Sequence, residues 1–333
     1  MQFTQVTLVV LGLVGSTAGT ESHSQEEKSV IRSAFNRAFA LTNPSLTGVK
    51  RFAADDELNV EEEPIITTVA SEEEAYHFAD YGNVAYCGNT HLQDWDCKQC
   101  KEQVKLVHVA NEPRYKGRAI IARDTVRKEI VLLFRGSHNI RNWLQNFVYE
   151  YSELKYAPGA RVHKGFGDSS VALISHYSKA LAFEMNEHPD HRLVIVGHSL
   201  GGAQAIISAL ELNYRMQIPF EKMSVFTYGQ PRTGNVQFAR YVNSRPMQVT
   251  RVVNESDMVP HSIPEYGGFI HHGTEMHIRN NKSIICSTKT LEDPTCSRSA
   301  FPKLSPSSHF LAWDKEVGSF SCMTMKLPLK MRS

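Results

Sequence analysis

Apolar and polar residues alternate in blocks along most of this chain, and the blocks predict a regular succession of strands and helices. The run 193–196 is continuously apolar, which is typical of a strand buried on both faces of a sheet, and the mainly apolar stretches 129–134, 223–227 and 249–253 also predict strands. Apolar residues recur at helical spacing in 167–188 and 200–212. The alternation begins at about residue 65. It predicts an α/β fold with a central, mostly parallel sheet that carries helices on both faces.

The first 65 residues have a different character. An apolar run, Val6–Val14, leads into small residues and is too short to span a bilayer, which indicates an export signal over 1–20. Helical spacing over 26–41 and the basic pair Lys50–Arg51 follow. The basic pair predicts a pro-segment over 21–51, with an outer limit at about residue 65. One folded domain is then expected over 66–333.

Composition limits the function classes. The 333 residues are 41% hydrophobic, which is enough to bury one large core. The formal net charge is +1 and no long basic block stands out, which argues against a nucleic-acid partner. No segment after the first twenty residues is apolar enough to predict a transmembrane helix.

Six cysteines support export, and they are Cys87, Cys97, Cys100, Cys286, Cys296 and Cys322. An even number behind an export signal predicts three disulfides, although six cysteines allow 15 pairings. Close spacing favours Cys97–Cys100 and Cys286–Cys296, which leaves the outermost two to connect the ends of the domain. The C-x-x-C spacing would also suit half of a zinc site, but the sequence has no second C-x-x-C.

The stretch 192–203 contains the most informative motif. An apolar strand runs into Gly197-x-Ser199-x-Gly201, and a helix rich in small residues begins at once. This is the context of a nucleophile elbow, where a strained turn lifts a serine hydroxyl above the sheet edge at a helix N-terminus. We therefore predict Ser199 as a nucleophile. The neighbouring His198 is expected to point away from it and pack in the core.

A nucleophilic serine needs a base, and the base needs an orienting acid, in the chain order Ser, Asp or Glu, His. Asp257 stands out as the acid because it follows strand 249–253, and parallel strands place their chemistry at their carboxyl ends. For the base, the pattern leaves His261 and His309 open and favours His309, which lies in a polar loop before a predicted apolar helix. A further histidine cluster matches no zinc motif and is expected to be structural. Its members are His271, His272 and His277, with Glu275 between them.

From about residue 65 to 322 the chain resembles the fungal class 3 triacylglycerol lipases of the Rhizomucor and Rhizopus type. Seven short stretches carry this resemblance, and together they are highly specific. They are Tyr86-Cys87 with Cys97-x-x-Cys100, Phe134-Arg135-Gly136-Ser137, Ile140-Arg141-Asn142-Trp143, His163-x-Gly165-Phe166, Gly197-His198-Ser199-Leu200-Gly201-Gly202, Tyr228-Gly229-Gln230-Pro231-Arg232 and Asp257-x-Val259-Pro260.

The resemblance implies an α/β-hydrolase-like fold with a short helical lid, and a lipase catalytic domain over 66–333. It implies that Ser199, Asp257 and His309 form a catalytic triad. It also implies an oxyanion hole at Ser137 and the backbone N–H of Leu200, and a need for neither a cofactor nor a metal ion. The favoured cysteine pairing, with Cys87–Cys322 as the third bridge, matches the pattern of the same family.

The lid prediction rests on the spacing of apolar residues after strand 129–134. Ile140, Trp143, Leu144 and Phe147 fall at i, i+3, i+4 and i+7, and polar residues such as Arg141 lie between them. This spacing predicts a short amphipathic helix. It could pack permanently on the core, but its place directly after the oxyanion strand favours a cover over the site.

We therefore expect a secreted, extracellular lipase that hydrolyses acylglycerols, triacylglycerol first, through an acyl-enzyme. It would act as a monomer at a lipid–water interface. Alternatives on the same fold are a feruloyl-type or other soluble-ester esterase, a mono- or diacylglycerol lipase, and a phospholipase. An inactive binding protein is an alternative of another class. The apolar face of the lid argues against the feruloyl esterase, and the filled catalytic positions argue against an inactive protein.

Overall fold

An eight-stranded sheet made from the apolar runs forms the centre of the molecule. The computed structural model describes residues 67–137 and 150–318, all within one compact unit. The strands are β1 (Val104–Glu112), β2 (Gly117–Asp124), β3 (Glu129–Phe134), β4 (Tyr151–Glu153), β5 (Arg161–His163), β6 (Arg192–His198), β7 (Met223–Tyr228), β8 (Gln248–Asn254), β9 (Thr274–Arg279), β10 (Lys282–Ile285), β11 (Leu311–Ala312) and β12 (Lys315–Glu316). The helices are α1 (Glu72–Val84), α2 (Asn89–Asp94), α3 (Lys164–Glu187), α4 (Leu200–Met216) and α5 (Val236–Asn243).

The strand order of the central sheet is β1-β2-β3-β6-β7-β8-β9-β10. The five strands from β3 to β9 in this order pair in parallel, whereas β1, β2 and β10 pair antiparallel at the two sides. Every residue of β3 and β7 is buried, which explains why their sequences are mainly apolar. The prediction of a mostly parallel sheet in an α/β-hydrolase-like fold is confirmed.

Helices cover both faces of this sheet. One face packs against α3 and α4, in a core that includes Leu173, Tyr177 and Ile206. The opposite face packs against α1, where the rings of Phe78 and Phe226 lie 4.6 Å apart. The sheet is thereby enclosed, and its functional edge is the one at which the parallel strands end.

The segment after His309 corrects one prediction. We expected an apolar helix there, but Ser307–Phe310 forms a 3₁₀ turn and the chain continues into the short hairpin of β11 and β12. Trp313 at the hairpin turn adopts a left-handed backbone conformation, and its indole N–H bonds Glu72 and Ser283. These long-range bonds fix a turn where the local apolar pattern favours a helix.

The two local disulfides, Cys97–Cys100 and Cys286–Cys296, are present as expected. A disulfide leaves no thiolate for a metal ion, so the C-x-x-C is not half of a zinc site. Several predictions lie outside the described residues. They are the export signal over 1–20, the pro-segment over 21–51, the domain start at 66, Cys322, and the lid residues Ile140, Arg141, Trp143, Leu144 and Phe147. Among the helices that the structure describes, none has the length and apolar character to cross a bilayer.

Candidate active site

Ser199 stands between the last residue of β6 and the first residue of α4. Its backbone has φ 59° and ψ −129°, a conformation that residues with side chains rarely adopt. A β-carbon on Gly197 would collide with the carbonyl group of Gly201, and one on Gly201 would collide with the carbonyl oxygen of Phe134. The glycines therefore let strand, turn and helix cross closely, as a nucleophile elbow requires.

The turn holds the backbone of Ser199 by a hydrogen bond but leaves its side-chain hydroxyl without one among the described residues. The backbone N–H of Ser199 donates to the carbonyl oxygen of Tyr228, 2.9 Å away on the neighbouring strand. Its Oγ atom is buried and has no hydrogen-bond partner among the described residues. A buried hydroxyl without a partner costs stability, and such groups are found where a reaction requires them.

Asp257 and His309 meet although 52 residues separate them in the chain. The Nδ1 atom of His309 lies 3.0 Å and 2.9 Å from the two carboxylate oxygens of Asp257. Both residues are almost fully buried, with 1% of Asp257 and 2% of His309 exposed. A carboxylate can only accept, so Nδ1 carries the proton and Nε2 keeps a free lone pair. Among the described residues, that Nε2 has no hydrogen-bond partner.

Backbone bonds align the two loops that carry this pair. The N–H of Ser305 donates to the carbonyl of Ser256 at 2.8 Å, and the N–H of Met258 donates to the carbonyl of Ser305 at 3.3 Å. One oxygen of Asp257 also accepts from the backbone N–H of Val259 at 2.9 Å. The carboxylate is thus held on one side by its own loop and on the other by the imidazole.

Of the two residues predicted for the oxyanion hole, one follows β3 and the other lies within the elbow. Ser137 follows β3 and is half-buried, and Leu200 is the first residue of α4. The chain before Ser137 passes close to Ser199, since a β-carbon built on Gly136 would lie 3.0 Å from the β-carbon of Ser199. Free N–H groups at the start of a helix favour negative charge, which suits an oxyanion near Leu200.

Three further histidines, those of the predicted structural cluster, make side-chain hydrogen bonds within the protein. His271 and His277 each place Nε2 2.9 Å from a backbone carbonyl oxygen, and His272 lies 2.8 Å from the amide of Gln230. His261, the alternative base that the pattern left open, lies in a 3₁₀ turn, where burial and then the charge of Arg232 lower its pKa to about 4. His198 is fully buried and does not act on Ser199 as a base in this arrangement, because both of its ring nitrogens are engaged elsewhere.

Sequence reasoning missed a buried ion pair that supports the acid loop. The guanidinium of Arg232 binds both carboxylate oxygens of Glu292, at 2.6 Å and 2.7 Å, and donates to the carbonyl of Ile263 at 2.7 Å. Burial opposes ionisation of Glu292, but the charge and hydrogen bonds of Arg232 hold its pKa well below the usual range. Arg232 belongs to a motif that the resemblance identified, whereas nothing local singles out Glu292.

Comparison with known proteins finds similarity to lipases, which agrees with the arrangement of Ser199, Asp257 and His309 in a nucleophile-elbow fold. The family model described as Lipase (class 3) matches residues 131–267. A lipase of Rhizopus niveus is 32% identical over 265 residues, which are 77% of this chain and 67% of that protein. The secreted mono- and diacylglycerol lipase 1 of Fusarium solani is 31% identical over 231 residues, covering 66% of this chain and 68% of its own.

A solved lipase structure has a fold similar to that of this chain. It is that of a triacylglycerol lipase whose catalytic centre is a serine protease triad. It matches with a TM-score of 0.71 and 32% sequence identity, over 76% of this chain and 98% of the other.

Proposed function

This chain belongs to the class 3 lipase family and is a carboxylic ester hydrolase, and from that premise we propose that it is a secreted enzyme that cleaves acylglycerol esters at a lipid–water interface. Triacylglycerol is the proposed substrate, since a similar structure is that of a triacylglycerol lipase. Export is supported by the apolar N-terminal run and by the secreted relative from Fusarium solani. We propose the order 1–20 signal, 21–51 pro-segment and 66–333 catalytic domain for the precursor.

The contact between Asp257 and His309 is the observation that supports this function most strongly. It leaves Nε2 of the imidazole buried and without a hydrogen-bond partner among the described residues, and the Oγ atom of Ser199 is likewise buried and without a partner there. In the proposed mechanism, Oγ of Ser199 attacks the ester carbonyl carbon while its proton passes to Nε2 of His309. Asp257 holds the tautomer and stabilises the imidazolium that forms.

The remaining steps follow from the same groups. The tetrahedral intermediate places negative charge on the former carbonyl oxygen, and we assign its hydrogen bonds to Ser137 and the N–H of Leu200. One such donor is typically worth about 3–4 kcal/mol. The intermediate collapses, and the leaving alcohol takes the proton from His309. Water, deprotonated by the same imidazole, then releases the fatty acid from Ser199.

We propose a lid formed by the amphipathic stretch that includes Ile140, Arg141, Trp143, Leu144 and Phe147. Its spacing would place apolar residues on one face, and that face would move from the protein to lipid when the site opens. Activity on a short-chain ester should then rise steeply once the substrate exceeds its solubility. A smooth saturation curve through the solubility limit would contradict lid gating without affecting the triad.

A hydrolysis panel on the purified mature protein tests the substrate class. It contains long-chain triacylglycerol, diacylglycerol, phospholipid and methyl ferulate, each measured beside Ser199→Ala. Hydrolysis of triacylglycerol that Ser199→Ala abolishes supports the proposal. Hydrolysis confined to partial glycerides would favour the second candidate, a mono- and diacylglycerol lipase, which the Fusarium relative suggests. Activity on methyl ferulate alone would overturn both.

Covalent labelling separates an active serine from an inactive fold. An organophosphate fluorophore should label the wild-type chain at Ser199 and leave Ser199→Ala unlabelled, with both variants showing the same circular dichroism. Labelling at another serine would refute the assignment of the nucleophile.

A further inference from the structure

His198 and Tyr86 connect the base loop to the body of the protein through a chain of hydrogen bonds. The Oη atom of Tyr86 lies 2.9 Å from Nδ1 of His198. On the other side of the same ring, Nε2 lies 2.8 Å from the backbone carbonyl oxygen of His309. Exposure is 7% for Tyr86, 0% for His198 and 2% for His309, so water does not compete for these bonds.

The direction of every bond in this chain is determined. A carbonyl oxygen only accepts, so Nε2 of His198 carries the proton and Nδ1 is the acceptor for the Tyr86 hydroxyl. Burial, and next the neighbouring His309, hold the pKa of His198 well below its usual value, so the ring is neutral. A neutral ring of fixed tautomer donates on one side and accepts on the other.

The chain continues to the predicted oxyanion strand. The backbone N–H of Gly136, next to Ser137, donates to the oxygen of Tyr86. The series therefore runs from the Gly136 N–H through the Tyr86 hydroxyl and the His198 imidazole to the His309 carbonyl. It joins the residue before one proposed oxyanion donor to the backbone of the proposed base.

We propose that Tyr86 and His198 are positioning residues, which hold the backbone of His309 and the Gly136–Ser137 segment in a fixed relation on either side of Ser199. This inference rests on the proposed function. Asp257 fixes the His309 ring at Nδ1, but it does not fix the main chain from which that ring extends. The rings of His198 and His309 also pack against each other, with centroids 4.4 Å apart. The pair therefore restrains both the main chain and the ring face of the base.

Three substitutions separate this role from simple core packing. Tyr86→Phe removes only the hydroxyl that links the two sides. His198→Asn keeps an oxygen near the position of Nδ1 for Tyr86, but its side chain is too short to reach the His309 carbonyl. His198→Gln is longer and places an amide N–H near the position of Nε2. It can therefore restore the bond to His309.

Turnover of a water-soluble butyrate ester is the assay, because it does not depend on lipid binding. Tyr86→Phe and His198→Asn should each lower kcat by about tenfold or more while KM changes little, since misplacing a reacting group costs rate rather than binding. His198→Gln should recover part of the kcat that His198→Asn loses, because it restores the bond to His309 but not the bond from Tyr86. Tyr177→Phe is the matched control, because Tyr177 is as buried but packs on the other face of the sheet. It should keep the wild-type kcat.

The kinetics of these variants either support or overturn the positioning role of Tyr86 and His198. Unchanged kcat in both Tyr86→Phe and His198→Asn would overturn the inference, and so would equal loss in His198→Asn and His198→Gln. The melting temperature of each variant identifies any that fail to fold, and Tyr86→Phe, the smallest change, then decides alone. If the wild-type protein shows no turnover that depends on Ser199, both the proposed function and the inference are refuted. Active wild type with unaffected variants refutes only the inference.

Discussion

Gly229 lies directly against the imidazole of His309. A β-carbon built on Gly229 would stand 2.7 Å from Nδ1 of His309 and 2.5 Å from an oxygen of Asp257. Gly229 also has φ 58°, in the left-handed region that disfavours side chains. The absence of a side chain at this position is therefore a condition for contact between acid and base.

Gly229→Ala should separate Asp257 from His309 and lower kcat/KM on a soluble ester by about 100-fold, because the methyl group occupies the space of their hydrogen bond. Steady-state kinetics beside the melting temperature measure this. Gly88→Ala is the control, since a β-carbon there meets nothing within 4 Å and the backbone φ of −64° accepts alanine. An unchanged kcat/KM in Gly229→Ala would show that ester hydrolysis does not need Asp257 and His309 in this geometry.

Asp257→Asn should preserve the fold and lower kcat by about 10³- to 10⁴-fold, because an amide does not enforce the tautomer with the proton on Nδ1. The rate should be compared with that of Asp124→Asn. Asp124 is also fully buried, but it accepts backbone N–H bonds in the turn between β2 and β3, far from the catalytic edge. Equal losses in the two variants would mean that kcat follows stability rather than the tautomer.

The central sheet and the elbow were predictable because their signals are local. The strands β3, β6, β7 and β8 are largely buried on both faces and are rich in apolar residues, and their observed bounds differ from the predicted ones by at most two residues. The motif around Ser199 likewise lies within one turn of chain. The pattern does not distinguish β1, at the side of the sheet, since most of its residues are only partly buried.

The pairings across the chain were not predictable from local pattern. Asp257 and His309 were placed together by the chain order of known triads and by resemblance, and the pattern alone left His261 open. The bond between Arg232 and Glu292 joins residues 60 positions apart, and the sequence around either residue does not indicate which residue it pairs with. The hairpin after His309 was mistaken for a helix because Trp313 is fixed by distant partners.

Glu292→Gln should destabilise the protein by about 3 kcal/mol, because it leaves the buried Arg232 guanidinium with only the partly exposed Glu265 as a counter-charge. Denaturant unfolding measures the free energy. The double variant Arg232→Met with Glu292→Gln should recover part of the loss, since it removes the buried charge that has lost its bidentate partner, and Glu265 keeps its ion pair with Arg298. The surface pair Lys164–Asp168 is the control, and Asp168→Asn should leave the free energy of unfolding nearly unchanged, because solvent screens this exposed pair. A loss below 1 kcal/mol in Glu292→Gln would contradict this reading of the pair.

Buried neutral histidines should make the protein sensitive to acid. Burial and then Arg232 lower the pKa of His261 to about 4, from the ordinary value of 6.5 that it regains on unfolding. Between these values the unfolded chain binds the extra proton, so stability is complete above pH 6.5 and falls as the pH drops toward 4. His261 alone should contribute a loss of about 3 kcal/mol across this window. Burial lowers the pKa of His271 and His272 as well, so their contributions have the same sign.

Denaturant unfolding at several pH values between 7 and 4.5 measures this dependence, and His261→Gln isolates one contribution. The variant cannot take up the proton, so its free energy of unfolding should fall with pH less steeply than that of the wild type, by up to about 1.4 kcal/mol per pH unit. Carboxylates that titrate in the same range affect both proteins alike and cancel in the comparison. Parallel curves for wild type and variant would show that His261 protonates equally well in the folded protein, and the proposed source of acid sensitivity would have to be abandoned.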